Sequence, residues 1–506
     1  LRIKEIRKVK RILLLLSVTG IVALYASFLT PRMKFGGDAV DYVRLAYSLA
    51  HGEGYRVDGH FNSKWPPVTP LLHSVVIRVA GVNVTGFKFA SMMTALIALW
   101  LSYLLLKRHY DERLAPYAVL LAAVSFPVIY WVVDVSSEAP YFLFSIAGLL
   151  LAEEALKRQR WLAAIGAGLA FGLAVLSRTV GLALIIGLGL SLLTHWIRGR
   201  RSEATKLLLA VSVAVVLVGA WFAYSRIQSG KTSVSTYRSY AFRGDIYNPN
   251  AQPNPLHRAL ENAVGYTFIF AVPDASIRSK QAARLTPLGL VSATIMLLAL
   301  AGWLWQLWKC PRIAEWYLLV YWAALLAVAW YDIRYLVPIM PLLLFYFAFA
   351  VDGILRWVAE KLSRPAWAPI ATATVLGVMI AGNATLSAVG PQAKRLRAPE
   401  YSGAAKEIHD AARWIKQNRP DAVVLSRQAN MVWFWTQLKT TGIPLIGDPA
   451  AMWQHIREKQ VTVIISEPDE FSGVTGKYLL PALQAHPDEL QAIATFGRTV
   501  VYDVKR

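Results

Sequence analysis

Carboxylates set beside chain-loosening glycines are the first hint of chemistry in this sequence. The segment Phe35-Gly-Gly-Asp-Ala-Val-Asp-Tyr carries Asp38 and, one helical turn on, Asp41. Gly36-Gly37 frees the chain just before Asp38. That places Asp38 at or near a helix N-terminus, where the unpaired amides favour a carboxylate. Such a residue can cap the helix, or it can take a proton from a hydroxyl as a general base. A second acidic stretch, Asp134-Val-Ser-Ser-Glu138, is followed by Pro140. Ser136 or Ser137, with Glu138 in the first turn, reads equally as a helix cap. Arg178 lies in Leu176-Ser-Arg-Thr-Val-Gly181, and Arg334 with Tyr335 in Tyr331-Asp-Ile-Arg-Tyr-Leu-Val-Pro338. An arginine at a membrane interface ordinarily meets a lipid headgroup. Two of them near carboxylates suit an anion pocket, because guanidinium binds phosphate bidentately. His73 follows Pro66-Pro-Val-Thr-Pro-Leu-Leu72 and reads as packing or snorkelling at an interface rather than as a base.

The elements that must hold these groups are apolar helices. Of 506 residues, 56% are apolar and only 17% charged, and the mean hydropathy is +0.42. This excludes a soluble single domain and a disordered chain. A span needs about 20 mostly apolar residues. Candidates lie at 12–30, 88–106, 115–133, 139–156, 161–178, 180–197, 207–225, 286–308, 313–331, 335–355 and 366–388, about 11 in all and up to 13 on looser criteria. The N-terminal segment holds Arg2, Lys4, Arg7, Lys8, Lys10 and Arg11, which sets the N-terminus in the cytoplasm. Alternate short loops are basic: Lys107-Arg108, Lys157-Arg158, Arg198 to Arg201, Lys309 with Arg312, and Arg356 with Lys361. They satisfy the positive-inside rule and account for much of the net charge of +22 without nucleic acid. The one cysteine, Cys310, excludes an intramolecular disulfide framework and a CxxC metal site.

An odd number of spans puts the C-terminus outside. Two long outer loops follow, at 31–87 and 226–285, the second with Tyr237, Arg238, Tyr240 and Arg243. Residues 1–390 therefore form a membrane domain. Residues 391–506 form a small extracytoplasmic α/β domain, long enough to bury a core of its own. In it, Ala404–Arg419 has helical periodicity, while Asp421–Ser426, Val461–Ser466 and Thr499–Val504 read as strands. Trp433-Phe-Trp435 reads as core rather than as a sugar-stacking platform.

Taken in order, these motifs resemble the membrane glycosyltransferases of the GT-C fold. The nearest likeness is to bacterial relatives of the protein O-mannosyltransferases and of the lipid A aminoarabinose transferases (glycosyltransferase family 39/83-like). The resemblance rests on three elements of this sequence. They are Asp38 with Tyr42 and Gly52-Glu-Gly-Tyr55, then Pro66-Pro-x-x-Pro-Leu-Leu72, then Arg334-Tyr-Leu-x-Pro338 with Leu176-Ser-Arg178 in support. The family often has Asp-Glu at the first position. Here Ala39 follows Asp38, and Lys64-Trp65 stands where lipid A-type relatives carry Glu-Lys-Pro.

The resemblance implies a donor sugar on a polyprenyl phosphate and an envelope acceptor (lipid, polysaccharide or protein). It implies a multi-pass inner-membrane location, and transfer on the outer, periplasmic side with inversion. Asp38 would be the base, with Asp41 and Glu138 as further catalytic candidates. Arg178, Arg334, Tyr335 and Lys64 would hold the donor phosphate. Tyr42, Tyr55, Asp134 and His73 are candidates for the acceptor or sugar. The residues fix no cofactor, and a divalent metal among Asp38, Asp41, Asp134 and Glu138 is compatible with the residue types. The competing classes are a transporter or lipid-linked sugar flippase, a polyprenyl-diphosphate-dependent ligase or polymerase, and a membrane-anchored binding protein worked by its tail.

Overall fold

The computed structural model describes residues 2–34, 38–231, 254–270, 286–328, 332–468 and 473–505. The loop residues Tyr237, Arg238, Tyr240 and Arg243, and the Gly36-Gly37 pair, lie outside the described residues. The chain divides into two compact units. Unit 1 comprises 1–29 and 45–397, and unit 2 comprises 30–44 and 398–506.

Unit 1 is built from helices. In chain order they are α1 (Arg2–Ala26), α2 (Ala39–Ala50, divided between the units), α3 (Val68–Ala80), α4 (Val84–His109), α5 (Ala115–Val124), α6 (Phe126–Val132), α7 (Glu138–Lys157) and α8 (Trp161–Val175). After these come α9 (Leu182–Ile197), α10 (Arg201–Ser229), α11 (Pro255–Thr267), α12 (Pro287–Lys309), α13 (Ile313–Ala327), α14 (Met340–Lys361), α15 (Trp367–Val389) and α16 (Pro391–Arg397). A two-strand ribbon, β1 (Arg56–Val57) and β2 (His60–Phe61), precedes α3.

Among the described residues, seven helices are long and apolar enough to cross a bilayer: α4, α7, α9, α10, α12, α14 and α15, with short 3₁₀ lead-ins to α9 and α14. An eighth is available if the pair α5–α6, bent by 63°, counts as one span. The remaining three expected spans, at 12–30, 161–178 and 313–331, fall on shorter apolar helices: Leu15–Ala26 within α1, then α8 and α13. The bend at α5–α6 has a local cause. Ser125 is extended (ψ 121°) and Pro127 sits in the first turn of α6, so the ladder of backbone bonds breaks there. The break frees the Val124 carbonyl, which accepts from Ser387 Oγ of α15 at 2.7 Å. A neighbouring helix thus satisfies the broken one, as an apolar surround requires.

The helices pack through small residues. A Cβ added to Gly187 on α9 would lie 2.6 Å from the Tyr317 Cα of α13, so only glycine allows that approach. Two of the buried acids in this apolar unit are held by neighbouring side chains. Glu315 accepts from Tyr346 Oη at 2.6 Å and from the Arg312 amide at 2.8 Å. Asp352 accepts from Thr372 Oγ1 at 3.1 Å and meets Arg356 at 2.8 Å.

Unit 2 is an α/β layer structure. It contains α17 (Ala404–Asn418), β3 (Val423–Leu425), α18 (Ala429–Thr436), β4 (Lys439–Thr441), α19 (Pro449–Glu458), β5 (Val463–Ser466), α20 (Leu480–Ala485), β6 (Leu490–Phe496) and β7 (Thr499–Val504). The sheet order is β4-β3-β5-β7-β6, with β4, β3 and β5 parallel and the last two strands antiparallel. Side chains alternate across the sheet. Val424, Val463, Ile465 and Val501 pack with Ile408, Ala412 and Ile415 of α17. Leu425 and Ile464 face Met452, Trp453 and Ile456 of α19. The turn from β6 to β7 places Gly497 at φ +60°, the left-handed conformation a tight hairpin requires.

Candidate functional site

In unit 1 the polar groups collect where α7 begins, in the loop after α8 and in the 3₁₀ turns before α14. Glu138 is 3% exposed and pairs with Arg178 Nη1. The serine cap expected there does not form: Ser137 occupies the cap position without a side-chain bond. Arg334 donates from Nη2 to Tyr335 Oη at 3.0 Å, and its Nε lies 3.8 Å from Asp332. The Tyr335 ring lies under both guanidiniums, 5.2 Å from Arg178 and 5.0 Å from Arg334. Tyr321 Oη donates to the Tyr335 carbonyl at 2.6 Å, and Tyr141 and Tyr317 share a hydroxyl contact of 2.9 Å. Glu138, Arg178, Arg334 and Tyr335, distant in sequence, thus form one cluster. Asp134 is 2% exposed: Oδ1 accepts from the Val135 amide at 2.7 Å, while Oδ2 has no hydrogen-bond partner among the described residues. A buried carboxylate oxygen left over in this way marks a place for water or a ligand group.

The other unit 1 candidates have structural employment. Tyr55 donates its hydroxyl to the carbonyls of Trp65 and Pro66 at 2.8 and 3.1 Å, clamping the turn that starts α3. Lys64 lies 4.2 Å over the Trp65 ring. His73 is fully buried edge-on to Phe87, and neither ring nitrogen has a hydrogen-bond partner among the described residues. Burial pushes its pKa down to about 4, so the ring is neutral at pH 7. Sequence reasoning missed Lys88 on α4, which is 1% exposed. A lysine is almost never fully buried without a partner, and a cation near the start of an apolar helix was the available signal.

In unit 2, Asp38 directly precedes α2, and its carbonyl accepts from the Tyr42 amide at 3.1 Å. Tyr42 is buried. Asp41 Oδ1 accepts from Asn430 Nδ2 at 2.9 Å, and Arg44 Nη1 donates to Asn430 Oδ1 at 3.2 Å. Arg44 also lies 5.0 Å over the Trp433 ring. Glu467, at the end of β5, is 4% exposed. Its Oε1 accepts from Ser426 Oγ at 3.0 Å and from the Gln428 amide at 3.1 Å, while Oε2 has no hydrogen-bond partner among the described residues. Burial pushes this carboxyl up to about 7 against those hydrogen bonds. Among the described residues no three His, Cys, Asp or Glu side chains converge to hold a metal.

The architecture identifies relatives. The chain aligns with the crystal structure of ArnT from Cupriavidus metallidurans bound to undecaprenyl phosphate, with TM-score 0.64 and 15% identity over 97% of both chains. The chain has the GT-C fold. The apo state of the same ArnT gives TM-score 0.64 and 14% identity over 98% of both chains. The archaeal oligosaccharyltransferase AglB from Archaeoglobus fulgidus, in complex with an inhibitory peptide and a dolichol-phosphate, gives TM-score 0.56 and 13% identity over 89% of this chain and 69% of that one. A profile of the family described as dolichyl-phosphate-mannose-protein mannosyltransferase matches residues 64–224. That stretch holds Glu138 and Arg178 of this GT-C chain. No curated protein matches the sequence. The chain resembles the GT-C membrane glycosyltransferases, as its motifs imply.

Two outcomes are expected. Removing one partner of the buried pair strands a charge, so Arg178→Met costs about 3–5 kcal/mol of stability, and adding Glu138→Gln restores most of it. Thermal unfolding of the single and double variants in detergent checks this, and additive losses would contradict it. Glu467 binds its proton more tightly folded than unfolded. Its contribution is full below the ordinary carboxylate range, and roughly 3 kcal/mol is lost as pH rises through about 7. Amide exchange at β3 and β5, corrected for intrinsic rates, falls in protection across that window in the wild type and stays level in Glu467→Gln. Equal slopes would contradict the assignment.

Proposed function

We propose that the chain is an inverting glycosyltransferase that moves a sugar from a polyprenyl-phosphate donor to an envelope acceptor, on the outer side of a prokaryotic inner membrane. One observation carries the reading: a match along 97% of both chains to a structure whose bound molecule is undecaprenyl phosphate. The family profile over 64–224 and the ordered motifs support it.

The roles follow from the chemistry. A lipid phosphate is already a good leaving group and needs its charge held rather than a proton supplied. Arg178 and Arg334 are the cations for that task, aligned by Tyr335 and Glu138. An acceptor hydroxyl is a poor nucleophile at neutral pH. Asp38 accepts its proton as the new bond to the anomeric carbon forms, an effect worth roughly 10²–10⁴-fold. Asp41 is engaged by Asn430 and serves instead to hold the start of α2 in place. The bond from the anomeric carbon to the phosphate oxygen breaks as the bond to the acceptor oxygen forms, and a single displacement inverts that carbon.

The test compares wild type with Asp38→Asn and Asp41→Asn in nanodiscs, using polyprenyl-phosphate sugars and an envelope extract. Asp38→Asn loses roughly 10²-fold or more in kcat with donor KM little changed, and Asp41→Asn loses less. Equal activity of wild type and Asp38→Asn would remove Asp38 from the reaction. Sugar-lipid movement across the bilayer without transfer would favour the flippase class.

A further inference from the structure

Unit 2 contains a cavity of about 270 Å³ that the fold alone does not explain. Its wall runs from Arg427 to Met431, the loop after β3 and the first turn of α18, and is completed by Val40 of α2 and Gly442 after β4. These are the carboxyl ends of parallel strands. The chain leaves β3 toward β4 on one side of the sheet and leaves β5 toward β7 and β6 on the other. Where such loops part, an open α/β sheet has its ligand crevice. Ser426 and Glu467 bond across that parting at 3.0 Å and fix the rim.

The lining has a definite chemistry. The Gln428 and Asn430 side chains each carry an in-plane acceptor and donors, and Arg427 adds a planar fork of donors. The Asn430 amide is oriented, because Asp41 accepts from its nitrogen at 2.9 Å and Arg44 donates to its oxygen at 3.2 Å. Val40, Ala429 and Met431 supply apolar surface beside these polar edges. The volume lies below the roughly 300–1,000 Å³ of drug-sized sites, which suits a single ring. Arg427 and Arg44 are offset by Asp41 and Glu467, so the surroundings favour a neutral polyhydroxyl over an anion.

We propose that this cavity is an acceptor subsite that holds one neutral sugar ring of the acceptor beside the start of α2. Val40 lies two residues after Asp38, at most about 7 Å along the backbone, so a ring seated there has its hydroxyls near the base. The proposal deepens the transferase reading and rests on it.

Gly442 offers a direct test. A Cβ there meets no heavy atom within 4 Å, and its φ is outside the left-handed range, so Gly442→Leu grows into open space without strain. The full chain in nanodiscs is examined by saturation-transfer NMR with methyl hexopyranosides and methyl pentopyranosides, with inorganic phosphate as competitor. At least one glycoside binds the wild type. Its affinity falls about tenfold or more in Gly442→Leu and in Arg427→Gln, and it is retained in Asp38→Asn, which loses transfer. The second lining variant keeps the test decisive if the first does not fold. No glycoside signal in the wild type, unchanged affinity in both lining variants, or displacement by phosphate would overturn the proposal. Any of these together with a transfer-dead Asp38→Asn would leave the transferase reading standing. Glycoside binding with no transfer by the wild type would instead overturn that reading, and the acceptor assignment with it.

Discussion

A carboxylate and a guanidinium buried together, Glu138 with Arg178, set the polar end of unit 1. Close approaches such as Gly187 against Tyr317 set the register of some helix pairs, and buried charge adds a second constraint. An unpaired buried charge costs several kcal/mol. Pairing the first residue of α7 with the loop after α8 fixes two helix ends at once. Arg334 enters from the turns before α14, with the Tyr335 ring under both guanidiniums. The Leu176 carbonyl accepts the Val68 amide at 3.0 Å, which ties the start of α3 to the same loop. Two cations held this close repel each other, and Glu138 and Asp332 offset that repulsion here.

Unit 2 applies the same rule with amides and hydroxyls. Asp41 and Asn430 are 389 residues apart in the chain, yet their contact fixes both the start of α2 and the start of α18. Glu467 bridges the loops after β3 and β5 in the same manner, at a cost that burial imposes on its charge. Rigid polar edges on a sheet's carboxyl side are what a subsite for hydroxyl groups requires.

Much of this was legible in the sequence, and the reason is physical. Charge is sparse in the apolar helices, so the residues Asp38, Glu138, Arg178 and Arg334 stand out against their surroundings. The face of α17, with Ile408, Ala412 and Ile415, follows from a period of 3.6. Pairing was not legible. Ser137 and Glu138 have the spacing of a cap, but the partner that takes Glu138 is 40 residues away. Tyr55 looks like a ligand-facing tyrosine until its hydroxyl is found on the Trp65 and Pro66 carbonyls. Asn430 and Glu467 carry no local signal at all, because their roles come from strands brought together only by the sheet. Span length was legible only in part. α8 and α13 are 15 residues each, shorter than their apolar stretches suggest, because α8 ends at a turn from Leu176 and α13 at an extended Val328.

The central claim is that a phosphodiester linking sugar to lipid is broken while a new glycosidic bond forms. Phosphorus NMR of the purified chain in nanodiscs, mixed with a polyprenyl-phosphate sugar and envelope acceptor, tests it directly. The account predicts that the phosphodiester signal converts to that of polyprenyl monophosphate in step with glycosylated acceptor. A donor signal that persists across the panel of sugars while the same protein moves the lipid between leaflets would contradict it.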